Sequence, residues 1–259
     1  MSQFEQIHGR SPVRARGAMS IPGAIPLDNG FAGVNRKLLK EDASGLPILI
    51  PSTLLLAGDR VDVCIRRIDT PLLSFVVPQP HDINSPLSRF IEAERVPEGF
   101  GELFYRVNGA ESADLKILVR KHSPGGVDPA PKLPGHGLLR APRLGASEVD
   151  DSQDVTVTIL PWRGMQRGHR VNLQLSDRCL PHTVTSDEEG GPITFTIAKE
   201  TLAELGHCDT LLFYKLWDEV GNPASDRSQT SELRIRPSST GAMGMVQQAP
   251  VILGVIKIR

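Results

Sequence analysis

The chain has 259 residues, 39% of them apolar and 23% charged, with a net charge of −1, which is room for two ordinary domains and the profile of a packed protein. Only 5% is aromatic, whereas 24 glycines and 21 prolines punctuate it, a balance that suits many short strands and disfavours a helical bundle. Charge alternates along the chain: residues 1–40 carry six Lys/Arg against two Asp/Glu, 41–119 seven against twelve, 120–146 five against one, and 147–236 nine against fifteen. The basic blocks fall short of the Lys/Arg density of a nucleic-acid binder, so no nucleic-acid partner is expected.

Residues 1–32 read as a basic, largely irregular arm, without the apolar run of a cleavable secretory signal. A first unit is expected over 33–122. Its greasiest stretch, 46–58, is broken by Pro47, Pro51, Ser52 and Thr53 and is shorter than the roughly 20 residues of a membrane span, so none is expected. Period-two alternation in the strand that follows places Cys64 with Arg60, Asp62 and Arg66 on a wet face. Residues 123–143, rich in proline and glycine, read as a linker. Proteolysis is expected to cut first between Lys121 and Arg143.

A second unit is expected over 144–238. Strands at Val155–Ile159, 171–175, Ile193–Ile197 and 232–236 alternate and are rich in β-branched residues. Lys199–Leu205 is the one convincing helical turn, closed by Gly206 at a C-cap position. Asp218-Glu-Val-Gly221-Asn222-Pro223 marks a hairpin loop that needs Gly and Asn for left-handed backbone angles. The tail, 239–259, holds an apolar strand whose Ala249-Pro250 echoes Ala141-Pro142, as if a third, truncated unit were starting. That strand is expected to lie along its own chain or to support self-association by strand addition.

The two units echo one another. "PSTLLLAGDRVDVCI" from Pro51 and "PWRGMQRGHRVNLQL" from Pro161 share a proline, then glycine seven residues on, then x-Arg-Val-x-apolar-x-apolar, at a constant offset of 110. Leu103-Phe-Tyr-Arg-Val107 answers Leu212-Phe-Tyr-Lys-Leu216 at 109, and Leu115-Lys-Ile117 answers Leu233-Arg-Ile235 at 118. Ordered matches whose offsets change only at loops mean a duplicated unit, and a period of this size means tandem domains rather than a solenoid.

"ILPWRGMQRGHRVNLQL", "GPITFTIAKETL" and "FYKLWDEVGNPASDRS" resemble the bacterial immunoglobulin-like repeats found in tandem in large surface and adhesin-type proteins. Those repeats show a proline-aromatic-x-Gly-Met turn, a Gly-Asp-x-Val strand and a late Tyr-x-Val-x-Asp-x-x-Gly-Asn hairpin. The second copy matches throughout, with His169 in place of the usual Asp. The first keeps Gly58-Asp59-Arg60-Val61 but lacks the aromatic turn and reads Asn108-Gly-Ala-Glu-Ser112 at the hairpin. The fold expected is all-β: two tandem immunoglobulin-like β-sandwiches, a basic N-terminal arm and a short C-terminal strand.

Little in the sequence points to chemistry. The histidines (8, 81, 122, 136, 169, 182 and 207) form no metal-ligand pair and read as loop and surface residues. No nucleophile elbow or P-loop occurs, and Gly135-His-Gly137 lies in the linker. Asp187-Glu188-Glu189 reads as a solvated turn, with weak calcium binding as the alternative. Trp162 and Met165 either cap a core or form an exposed adhesive spot, Trp217 lies at a core edge, and Tyr105 and Tyr214 occupy corner-tyrosine positions. Cys179 and Cys208 are a candidate disulfide in an oxidising compartment. No catalytic, cofactor or metal residues are assigned and no cofactor is expected. The function expected is a non-enzymatic binding or structural module of adhesin type, engaging a protein or glycan through loops or sheet edges, at a surface or secreted without a cleavable signal. The alternative is a cytoplasmic accessory or delivery component of a bacterial secretion or toxin system that docks a partner chain.

Overall fold

The structure, a computed structural model, describes residues 17–40, 43–53 and 55–238. In chain order the first half forms β1 (Ile25–Pro26), β2 (Ala32–Val34), α1 (Arg36–Lys40), β3 (Leu46–Ile50), β4 (Arg60–Ile65), β5 (Leu73–Val76), β6 (Leu87–Ile91), β7 (Gly99–Val107), β8 (Ala110–Glu111) and β9 (Leu115–Val119). One sheet runs β1-β2-β9-β7-β4-β5, with β8 paired to β7, and β3 pairs with β6 in a second sheet. Alternation decides which side chains turn inward. Leu46, Ile48 and Ile50 of β3 meet Val61, Val63 and Ile65 of β4 and Leu103, Tyr105 and Val107 of β7 in one buried cluster.

The second half repeats the plan: β10 (Arg143–Leu144), β11 (Glu148–Asp150), β12 (Val155–Ile159), β13 (Arg170–Leu175), β14 (Arg178–Thr183), β15 (Ile193–Ile197), α2 (Lys199–Leu205), β16 (Asp209–Trp217) and β17 (Ser231–Arg236). A sheet ordered β11-β17-β16-β13-β14 faces one ordered β10-β12-β15. Their inward residues, with Leu202 of α2, make a second core. The fold is all-β, each sheet pair closing on its own apolar layer.

The duplication survives in the strand registers. Val61 opposes Val107 and Ile65 opposes Leu103, while Val171 opposes Leu216 and Leu175 opposes Leu212. The offsets of 110 and 109 read from the sequence are thus the registers of the central strand pairs. Each half also sets a short strand parallel to its last one, β2 beside β9 and β11 beside β17.

The corner tyrosines are buried, Tyr105 at 2% and Tyr214 at 1% exposure, and share a main-chain clasp. Ser112 Oγ accepts from Tyr105 N at 2.9 Å, and Ser228 Oγ accepts from Tyr214 N at 2.9 Å. The serine amides donate back to the tyrosine carbonyls at 2.8 Å in both halves. Ser228→Ala would leave the Tyr214 amide without its acceptor inside the core, and removing one partner of a buried bond costs about 1–3 kcal/mol. We expect a loss of that size in urea unfolding; a change under about 0.5 kcal/mol would show the clasp to be dispensable.

Several expectations are corrected. Part of the N-terminal arm belongs to the first core: Met19 and Ile21 are buried, and Ser20 exchanges backbone hydrogen bonds with Leu49 at 2.9 and 2.8 Å. Cys64 lies on the expected outer face but is only 1% exposed. Its cross-strand neighbour Phe104 is roofed by the Arg66 and Arg106 guanidiniums at 3.8 and 5.1 Å from the ring centre, so long charged side chains cover what alternation alone would leave wet. Burial pushes the Cys64 thiol pKa up. Cys179 and Cys208 are free, although the strands they follow and precede, β13 and β16, do pair as expected; Cys179 sits within β14, opposite Gln174.

The linker is a fitted strap rather than a solvated tether. His136 and Leu139 are fully buried. The His136 amide donates to Arg227 O at 2.8 Å, and Gln229 N donates to Leu139 O at 3.0 Å. Asp128 Oδ1 accepts from the Ala130 and Gly137 amides at 2.9 and 3.0 Å. Proline and glycine here set the turns of a segment packed on the second sandwich, with Gly135 at φ +81° where a side chain would crowd Ser228 O.

Candidate functional site

A buried polar cluster, with His169, Asp218 and Asn222, lies where the two sandwiches meet, and the late hairpin of the second copy builds it. Residues 218–223 leave β16 with Gly221 at φ 84°. Asn222 does not take the left-handed angle the turn chemistry suggested; it is 3% exposed and works through its side chain. Its Oδ1 accepts from the Arg36 amide at 2.8 Å, and its Nδ2 donates to Arg120 O at 3.0 Å and to Asp218 Oδ2 at 2.7 Å. One amide thereby satisfies the start of α1, the exit of β9 and its own turn. Val220, fully buried, presses on β2, where a Cβ on Gly33 would come within 3.1 Å of its Cγ1. Asn35 Nδ2 donates to Val220 O at 3.3 Å.

Beside this contact stands a charged chain. Arg120 Nε donates to Glu219 Oε1 at 2.8 Å, and its Nη2 reaches Gln166 Oε1 as well. His169 Nε2 lies 3.3 Å from Glu219 Oε2. Trp162 Nε1 donates to His169 Nδ1 at 3.4 Å with the rings stacked, so Nε2 carries the proton and points at the carboxylate. Burial works against ionising Glu219, but the His169 ring nitrogen 3.3 Å away, its own backbone amide and the Arg120 guanidinium outweigh it and bring its pKa down to about 2, although Oε2 itself is buried without a hydrogen bond among the described residues. Burial raises the pKa of Asp218, partly offset by its bonds from Asn222.

This explains the departure at position 169. In the first copy Asp59 occupies the equivalent place and accepts from Asn108 Nδ2 of the β7–β8 turn at 2.9 Å. In the second, His169 holds Glu219 of its own late hairpin. Both residues tie the first turn to the hairpin, and the histidine reaches further. His136 and His169, expected at the surface, are both buried. Trp162 and Met165 cap the second core, at 6% and 8% exposure, rather than offering an adhesive spot.

Two clefts flank Arg120. One, of ≈ 430 Å³, is lined by Glu98, His122, Ser123, Val127 and Arg163 among others. The other, of ≈ 620 Å³, lies between the 25–29 loop with Phe100 on one wall and Gln166, Arg167, Arg170 and Glu189 on the other. Arg163, Arg167 and Arg170 are exposed and make no ion pair among the described residues.

No protein-family model matches the chain. No curated protein matches it either. Among solved structures, it is similar to the crystal structure of Salmonella alpha-2-macroglobulin reacted with methylamine. The identity is 15% and the TM-score 0.26, over 74% of this chain and 14% of that one. The chain thus spans about one seventh of that protein's length, and a likeness this distant bears on no function.

The acidic loop is occupied by its own donors. Glu188 Oε2 accepts from Thr185 N at 2.8 Å and lies 2.9 Å from His182 Nε2, and Glu189 Oε1 accepts from Arg167 N at 2.7 Å. Among the described residues, no three His, Cys, Asp or Glu side chains converge as a metal site requires, and no helix is long and apolar enough to cross a membrane.

Proposed function

We propose that the chain is a non-enzymatic binding or structural module of the bacterial immunoglobulin-like repeat type, reaching a protein or glycan partner through loops or sheet edges. One observation carries this reading. At the junction Arg120 pairs with Glu219 across the two sandwiches, Asp218 holds Asn222, and His169 lies 3.3 Å from Glu219, so the ionisable groups beside the two clefts serve the contact between the sandwiches. The unpaired arginines at the mouths of the clefts offer the partner a polar rim.

The test takes the full chain over an array of glycans and surface proteins, and separately through a panel of ester, glycoside and phosphate-ester substrates. Saturable binding is expected, weakened at least tenfold by Arg163→Glu with Arg167→Glu, with an unchanged melting temperature. Turnover of any substrate, or no saturable binding to any array component, overturns the reading.

A further inference from the structure

Sheet edges invite foreign strands, and proteins blunt them with charge, proline or brevity. Among the described residues most edges are blunted so. β1, β8 and β10 are two residues long, β11 is three with two carboxylates, and β14 carries Arg178 and Pro181. β15 has none of these defences. It reads Ile-Thr-Phe-Thr-Ile and pairs on one side only, with β12. Its counterpart in the first copy, β6, pairs with β3 in the same way but sets Arg89 at its centre, where β15 has Phe195. The Arg89 guanidinium lies 4.6 Å from the ring centre of Phe75 on β5, the edge of the opposite sheet. Charge thus closes the first sandwich on this side and leaves the second open.

The surroundings of β15 say what fits there. It ends a three-stranded sheet that faces a five-stranded one. On β14, the last strand of the wider sheet, Leu180 and His182 are only half-buried, and the His182 ring stands edge-on to Phe195 with centres 5.8 Å apart. A fourth strand beside β15 would lie over them. A second copy pairing β15 on β15 would bring its own β14 into the same space, so an extended peptide fits where a sandwich does not. β12 shows which side chains such a strand needs. Val155, Val157 and Ile159 turn inward opposite Ile197, Phe195 and Ile193, while Thr156 and Thr158 stand opposite Thr196 and Thr194 on the outer face, and cross-strand pairs of this kind stabilise a sheet. Charge sets the flank. Asp187, Glu188 and Glu189 precede β15, with His182 meeting only Glu188, whereas Lys199 and Glu200 after it offset one another. A strand antiparallel to β15 ends beside the three acids, so a basic residue after it is complementary.

We propose that β15 is a docking edge for an extended peptide segment of a partner protein, which adds to it antiparallel as a fourth strand, with β-branched apolar residues at alternate positions and a basic residue after them. The proposal rests on the partner reading above and names one edge for it; its failure leaves that reading, which the array tests, standing. The probe is the peptide Asp-Val-Thr-Val-Thr-Ile-Leu-Lys, residues 154–160 with a lysine appended, titrated into the full-length chain while amide exchange is followed by NMR. Alternate amides of 193–197 are expected to exchange fast in the free chain and at least tenfold more slowly with peptide bound, with 155–159 unchanged and the chain monomeric. The same peptide carrying Val157→Pro, which lacks the central donor, should give no protection. Absence of protection at 193–197 by the first peptide overturns the proposal. So does faster exchange at 155–159, which would mean that the peptide had displaced β12. Slow exchange of all the 193–197 amides in the free chain overturns it as well: the edge is then covered in a monomer by the tail, 239–259, which lies outside the described residues, and in a dimer by a second copy.

Discussion

Asn222→Ala is expected to lower the unfolding free energy of the full chain by about 2 kcal/mol or more, from two part-buried partners orphaned at about 1 kcal/mol each plus the lost buried tie to Asp218. The side chain is held at three points, on Arg36 N, Arg120 O and the Asp218 carboxylate, and alanine reaches none of them. The site is 3% exposed, so water cannot easily replace the amide. Asn108 is the internal control: it occupies the corresponding hairpin of the first copy, is exposed, and among the described residues its side chain bonds to Asp59 and the Arg60 amide. Asn108→Gly, chosen because Asn108 has φ 49° and glycine tolerates that left-handed angle, should cost under about 1 kcal/mol, the scale of an ordinary exposed hydrogen bond. Urea unfolding of both variants decides the matter. Equal losses would mean the junction adds nothing to stability beyond a turn.

How much of this was legible follows from what each signal encodes. Strands and their duplication were readable because alternation and turn residues are local, and the 110-residue echo reappears as the register of β4 on β7 and of β13 on β16. The helix closed by Gly206 was equally local, and Gly206 sits at φ 72°. The junction was not legible. Asp-Glu-Val-Gly-Asn looks like turn chemistry in isolation, and nothing in its spacing says that Asn222 meets Arg36, 186 residues away. His169 reads as a loop or surface residue because the scattered histidines form no metal-ligand pair in sequence, while its burial comes from Trp162 and Glu219 closing over it. The strap misled for a related reason. Proline and glycine report backbone conformation, not solvation, and a segment rich in both can be pinned as His136 and Leu139 pin this one. The one clue at the site was the substitution of His for Asp after Gly168, which marked a position where the copies differ in partner.

Acid should loosen the junction through Glu219. Its folded-state pKa of about 2 lies below the ordinary 4.5, so its contribution is fully present above about pH 4.5 and is lost as pH falls toward 2. At roughly 1.4 kcal/mol per pH unit that interval corresponds to about 3 kcal/mol, as an order of magnitude for a largely buried carboxylate. Asp218 works in the opposite sense, since burial raises its pKa and its protonation relieves a strained charge. Other carboxylates with depressed values, Asp128, Asp151 and Glu188 among them, add their own acid limbs elsewhere, so the measurement must be a difference. Unfolding free energies of the wild type and Glu219→Gln are compared at pH 7 and at pH 3. Glutamine keeps the size and an acceptor for Arg120 but cannot ionise, so the variant should be less stable at pH 7, with the gap closing by at least half at pH 3. A gap that stays constant between the two pH values would show that Glu219 acts through shape and hydrogen bonding alone, and that its charge does not hold the sandwiches together.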